Sequence, residues 1–391
     1  MYRFMIGALA LGLGISAATA QSLDDLNIQL HGYATQGFLY TNQNNIFTTN
    51  SSNGSPAWTE AVINVTAQPD PKLRVGVQAR YSVLGNLGNA ITLDWAMADY
   101  KVNDKIGVRF GKVKTPSGLF NDVQDIDPSY NWALLPQSVY PLMSRNSLLA
   151  HYGGVAYGTF DMERGGKFEY RGWIGERLLP GSDGYFLNQT EQGISLPNGL
   201  GGITSGATLR WRTPIAGLLV GATDYRDNTW KGQLSAGGGA LTGAELLNPF
   251  NAQYEFARYD HKRWMAAAEH SRLPVSGAIN FTGLPSEPLR YDAQAWYVMT
   301  TYKLTDKLAA GVYDTQLFDH QSALGPSRYL KDWAINAHYD FNQFIYAKAE
   351  QHFMDGTASG FDLTMNPPTA SLPTGLAPTT RLTVLKIGVS F

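Results

Sequence analysis

Leu73-Arg74-Val75-Gly76-Val77-Gln78-Ala79-Arg80-Tyr81-Ser82-Val83 is the stretch that decides the fold. Every odd position is apolar or aromatic and every even position is glycine, polar or charged. In an extended chain the two sets therefore fall on opposite faces. A helical period cannot sort them this way. The pattern recurs to the last residue, where Leu385, Ile387, Val389 and Phe391 alternate with Lys386, Gly388 and Ser390. It also sets Ile28, Leu30, Ala34, Phe38 and Tyr40 against Gln29, His31, Tyr33 and Thr35. Phe168, Tyr170 and Ile174 oppose Lys167, Glu169 and Arg171, and Trp333, Ile335, Ala337 and Tyr339 oppose Asp332, Asn336 and His338.

The segments between these strands fall into two alternating classes. Short ones at 69–72, 102–105, 161–166, 213–216, 260–262, 304–307 and 340–343 are rich in Asp, Asn, Pro or Gly, the residues that turn hairpins. Mostly longer ones occupy 42–57, 84–89, 115–149, 177–203, 227–250, 273–288, 318–328 and 354–379. Seven and eight connections join about sixteen strands. Their strict alternation puts every long loop on one rim and both termini on the other. The expected fold is all-β: a transmembrane antiparallel barrel.

Composition separates that barrel from a soluble sandwich. Charged residues make up 16% of the 391, against roughly 25% in soluble domains. With no cysteine there is no disulfide, thiolate metal site or cysteine nucleophile, and a net charge of -2 provides no field to draw nucleic acid. The presumed inner face carries Arg74, Arg80, Asp94, Arg109, Arg171, Arg210, Lys348 and Glu350. A packed core could not take up so many charges without heavy desolvation, whereas a water-filled lumen can. The outer face gathers aromatics at its ends, with Tyr40 and Tyr81 toward one rim and Trp211, Tyr297, Tyr339 and Phe391 toward the other, as rings prefer membrane interfaces.

Arg3, the apolar run 4–15 and Ala18-Thr19-Ala20 read as a secretory signal peptide over 1–20. Residues 21–391 then form a single barrel domain.

With these features the chain resembles the Gram-negative outer-membrane porins, general or phosphate-selective, of sixteen strands. The likeness is carried by the signal peptide, by the terminal Phe391 and by Arg109-Phe110-Gly111-Lys112-Val113-Lys114-Thr115-Pro116-Ser117-Gly118-Leu119. The last resembles the strand of such porins that runs into a third loop folded back into the lumen. The resemblance implies passive diffusion of small hydrophilic solutes or ions, a constriction made by loop 115–149, and a homotrimer in outer-membrane lipid. It also implies insertion by the barrel-assembly machinery through the strand ending at Phe391, with no cofactor. Leu119, Phe120, Trp132, Leu134, Leu135 and Tyr140 make loop 115–149 too apolar for free solvent, which packing inside the barrel would explain.

The expected eyelet sets Asp122, Asp125, Asp127 and Arg145 of the loop against a basic wall of Arg74, Arg80, Arg109, Lys112 and Lys114, with Asp94 also lining the pore. Opposed charges at a narrow point would create a transverse field that selects ions, here with an anion preference. Lys112 breaks the inward parity of Arg109 and belongs to a rim or a bulge. Two other readings stand beside the diffusion pore. One is a channel specific for an anion or sugar, with Tyr33, Trp296 and Tyr302 as an aromatic track. The other is a barrel enzyme or adhesin acting through the long loops, although no nucleophile-elbow, zinc-protease, phosphate-loop or calcium-loop motif occurs. Gly237-Gly238-Gly239 reads as a flexible linker.

Overall fold

The computed structural model describes residues 26–391, so the signal peptide expected at 1–20 lies outside the described residues. The strands in chain order are β1 (Gln29–Thr41), β2 (Ser55–Asp70), β3 (Leu73–Leu84), β4 (Leu87–Lys101), β5 (Gly107–Lys114), β6 (Ala150–Asp161) and β7 (Lys167–Leu179). β8 (Ile194–Ser195), β9 (Leu200–Arg212), β10 (Leu218–Asp227), β11 (Trp230–Ala236), β12 (Leu241–Leu247) and β13 (Phe250–His261) follow. β14 (Trp264–Phe281), β15 (Glu287–Lys303), β16 (Leu308–Asp319), β17 (Tyr329–Asp340), β18 (Ile345–Gly356) and β19 (Thr379–Ser390) complete the set.

Among the described residues, sixteen of these close into one antiparallel barrel. β7 pairs with β9 and β10 with β13, so the short β8, β11 and β12 stand outside the ring as an extension of its long-loop rim. The ring closes where β1 meets β19, with Phe38 opposite Leu385. Gly32 and Phe391 exchange two backbone hydrogen bonds of 3.0 Å at the short-turn rim. Closure leaves no edge strand and satisfies backbone polar groups that lipid could not.

The two faces of the deciding stretch separate as its alternation requires. Val77 is exposed on the outside opposite Val65, while Gln78 and Leu84 are buried inside. Tyr297 corrects the aromatic rim: it is fully buried on the inner face, where its hydroxyl donates to Glu269 at 2.8 Å. Three expected loops are also more ordered than their composition suggested. Segment 84–89 reduces to a two-residue turn, Gly85-Asn86, pressed against Thr48 of the first long loop. Segment 273–288 is mostly strand, because β14 continues past the membrane-height region to pair with β12. Gly237-Gly238-Gly239 is the turn between β11 and β12, with Gly238 at φ +66°, so its glycines supply a left-handed turn and not a slack tether.

Candidate functional site

Loop 115–149 leaves the wall after Lys114 and crosses the interior. β5 bends at Gly111, whose φ is +125°, and a Cβ there would come within 2.2 Å of the Ala96 carbonyl oxygen. The neck of the loop is pinned by the Thr115 amide on the Leu149 carbonyl at 3.0 Å. Asn121 reinforces it by donating to the carbonyls of Thr115 and Leu148 at 2.5 and 2.8 Å.

One end of the loop is held by charge. Asp122 meets Arg171 and, at 3.3 Å, Arg210. Asp125, fully buried, accepts from Lys114 at 2.7 Å and from Gln78 at 2.8 Å. Asp127 lies against Lys386 and 3.0 Å from Lys348, and the Tyr346 hydroxyl donates to it at 2.7 Å. Arg145 forms a bidentate pair with Asp94 at 3.0 and 2.8 Å. Burial alone would raise the Asp122 and Asp127 carboxyls. The cations beside them outweigh it and hold both below the usual carboxylate range, Arg171 foremost for Asp122 and Lys348 for Asp127.

The other end is held by apolar area and capped amides. Trp132 sits 4.5 Å from the Tyr313 ring, and Phe120 and Tyr140 pack with Tyr297 at 6.4 Å. Leu134, Leu135 and Val139 join the same buried cluster with Phe256, Ala267, Leu317 and Ala334 of the wall. Glu350 accepts from the amides of Ala133 and Leu134 at 2.5 and 3.1 Å. Glu269 accepts from the Leu119 amide and the Tyr140 hydroxyl at 3.0 and 2.6 Å. Beyond the loop, toward the long-loop rim, lies a cavity of about 410 Å³ lined by Tyr225, Trp230, Tyr254, Tyr291 and the ion pair of Arg177 with Asp227 at 3.2 Å.

The residues expected at the eyelet therefore separate. Asp122, Asp125, Asp127, Arg145, Asp94 and Lys114 meet at the loop, in direct contact and not across an open gap. The other bases do not reach it. Arg80 pairs with Glu60 at 2.5 Å along the wall, and Arg109 pairs with Asp99 at 2.9 Å. Arg74 is exposed beside the short turn between β2 and β3 and has no ion pair among the described residues. Lys112 shares the outward parity of Phe110: it stands opposite Ala96 and Tyr152, and its ammonium lies 5.4 Å from the Tyr152 ring. Nor do the three aromatics form a track. Tyr33 is buried inside and donates to the Asp125 carbonyl, but Trp296 and Tyr302 pair with the outward His270 and Trp264. The loop's main partners, Arg171, Arg210, Lys348 and Lys386, were legible as inward positions from strand parity. Their meeting with the loop was not.

No family model and no curated protein matches this sequence. Solved structures do. An OmpF of Salmonella typhi, described in complex with daunomycin, aligns at TM-score 0.55 and 15% identity over 95% of this chain and 99% of its own. The chain has the porin fold. The outer membrane channel DcaP of Acinetobacter baumannii aligns at TM-score 0.54 and 11% identity over 95% of this chain and 99% of its own. An anion-selective porin from Comamonas acidovorans aligns at TM-score 0.53 and 9% identity over 93% and 99%. At such identities the likeness establishes the porin architecture and leaves the transported solute to the chemistry of this chain's lumen.

Proposed function

We propose that this chain is a porin of a Gram-negative outer membrane, exported by removal of 1–20 and inserted through the strand ending at Phe391, that passes small hydrophilic solutes and ions down their gradients as a homotrimer. The observation that carries the reading is loop 115–149 lying inside a closed sixteen-strand barrel, bonded to the wall by Asp122, Asp125, Asp127 and Arg145. A docked loop narrows a barrel without filling it as a folded core would. The loop's acids are each neutralised by a wall base, which weakens the transverse field expected of opposed free charges. The anion preference then rests on Arg74, which has no ion pair among the described residues. Planar-bilayer recording with a salt gradient tests this: stepwise conductance with a small reversal potential of anion-selective sign is expected, and absence of conductance from the purified barrel would overturn it.

The aromatic cavity favours a second reading, a channel that retains solutes with an apolar body and a polar end. Rings of Tyr225, Trp230 and Tyr254 offer faces, and the buried Arg177–Asp227 pair offers polar contacts. Under this reading such a solute blocks conductance, and Trp230→Ala relieves the block while leaving the open-channel current intact. A general pore shows no block in either protein.

A further inference from the structure

The cavity beyond the loop combines a largely apolar wall with a single pair of charges. Of the described residues that line it, only Arg177 and Asp227 are charged. Leu179, Leu247, Phe250, Leu273 and Val275 supply much of the apolar surface. Trp230 comes from β11 and Leu247 from β12, so the strands that stand outside the ring complete the enclosure. The volume of about 410 Å³ falls within the roughly 300–1,000 Å³ of small-molecule sites.

Both charged side chains are almost fully buried, at 2% and 1% exposure, yet each uses only part of its bonding capacity. Arg177 donates from Nη1 to Asp227 Oδ2 at 3.2 Å. Its Nε and Nη2 have no hydrogen-bond partner among the described residues, and neither has Asp227 Oδ1. Nε and Nη2 form one edge of the guanidinium, a fork that matches the two oxygens of a carboxylate. The Tyr225 and Trp230 rings lie 5.2 and 5.9 Å from the guanidinium carbon and favour a fixed orientation of that fork. An unpaired buried donor or acceptor is costly, more so when charged. Three such atoms on one cavity wall point to a partner delivered from the cavity.

We propose that this cavity binds an α-amino acid with an apolar side chain. The carboxylate of the solute takes the Nε and Nη2 edge of Arg177, its ammonium donates to Asp227 Oδ1, and its side chain lies against the leucines. The two charges of such a solute sit next to each other on one carbon, as the two free groups belong to one ion pair. Charge balance decides against a simple carboxylate. Arg177 and Asp227 already cancel, so a carboxylate alone would bring an uncompensated charge into a buried site and leave Asp227 Oδ1 unpaired. An amine alone fails for the converse reason. A sugar could meet both groups, but its remaining hydroxyls would be pressed on the leucine wall. The proposal rests on the reading of the aromatic cavity as a site that retains solutes, and it names their class.

Isothermal titration calorimetry of the full barrel in detergent compares L-phenylalanine with 3-phenylpropanoate, which lacks the ammonium, with phenethylamine, which lacks the carboxylate, and with glucose. Phenylalanine is expected to bind about tenfold or more tightly than any of the other three. Equal or tighter binding of one of them would overturn the amino-acid assignment while leaving a cavity that retains solutes. Absence of binding by all four, together with no block of conductance, would overturn the retaining reading as well. Arg177→Gln combined with Asp227→Asn removes both charges and strands neither. In the folded double variant the preference for phenylalanine over 3-phenylpropanoate should disappear, and a preference that survives would overturn the assignment to this pair.

Discussion

The two ends of loop 115–149 are fixed to the same barrel by different physics. The 122–127 segment, with Arg145, meets β4, β5, β7, β9, β18 and β19 through ion pairs and β3 through the Gln78 amide. The 132–140 segment meets β13 to β18 through rings, aliphatic contacts and carboxylate-capped amides. Ion pairs are directional and fix where a carboxylate sits, while apolar burial is non-directional and supplies most of the holding energy. The loop is thus placed by its charged end and retained by its aromatic end.

The largest effect should come from the charged end. Asp127→Ala strands the buried ammoniums of Lys348 and Lys386, and breaking a buried pair costs about 3–5 kcal/mol. Faster hydrogen exchange over 120–130 and larger single-channel conductance are expected, and wild-type values for both would break the distinction drawn between the ends. Trp132→Ala should cost about 3 kcal/mol through the cavity it leaves beside Tyr313. Here exchange should rise over 130–140 while the 120–130 segment keeps its protection, and a uniform rise would mean that the two ends act as one.

Selectivity gives a smaller, sharper test. Arg80→Ala releases the Glu60 carboxylate, whereas Arg74→Ala only removes an exposed cation near the mouth. Both should move the reversal potential toward cations, Arg80→Ala further, and the double variant furthest. An unchanged potential in the double variant would remove both residues from the conduction path.

The smallest effect is that of acid. Burial pushes the Asp127 carboxyl up, and Lys348, Lys386 and the Tyr346 hydroxyl outweigh it and hold the carboxyl down. A depressed carboxyl contributes its docking energy throughout and above the ordinary carboxylate range, and loses it only as pH falls through the lowered value. The docking that Asp127 supplies, and the conductance it sets, should therefore hold from neutral pH to about pH 4 and be lost only in stronger acid. Asp127→Asn, which cannot titrate there, should show a smaller acid step, with Asp122 supplying the remainder.

Much of this is legible in the sequence. Parity alone told lipid face from lumen face in 73–83, 167–174 and 332–339, and the unusual apolar content of 115–149 implied an interior loop. It failed where a residue's level or partner mattered. Alternation read along 296–297 puts Tyr297 at a rim and Trp296 in the lumen, the reverse of the structure, because it gives two sets and one anchor error exchanges them. Lys114, which reaches the buried Asp125 although it shares the parity of Phe110 and Lys112, and the extended β14 depend on a bend and on a rim hairpin that no short window contains.

By itself the sequence determined the alternation, the turn chemistry and therefore the strand count, because these are set by neighbours two residues apart. Only the tertiary structure decided that Asp127 meets Lys348 and Lys386, or that Glu350 caps the amides of Ala133 and Leu134. Those contacts link positions more than two hundred residues apart, which become neighbours only once β19 has closed against β1 and the loop has turned inward.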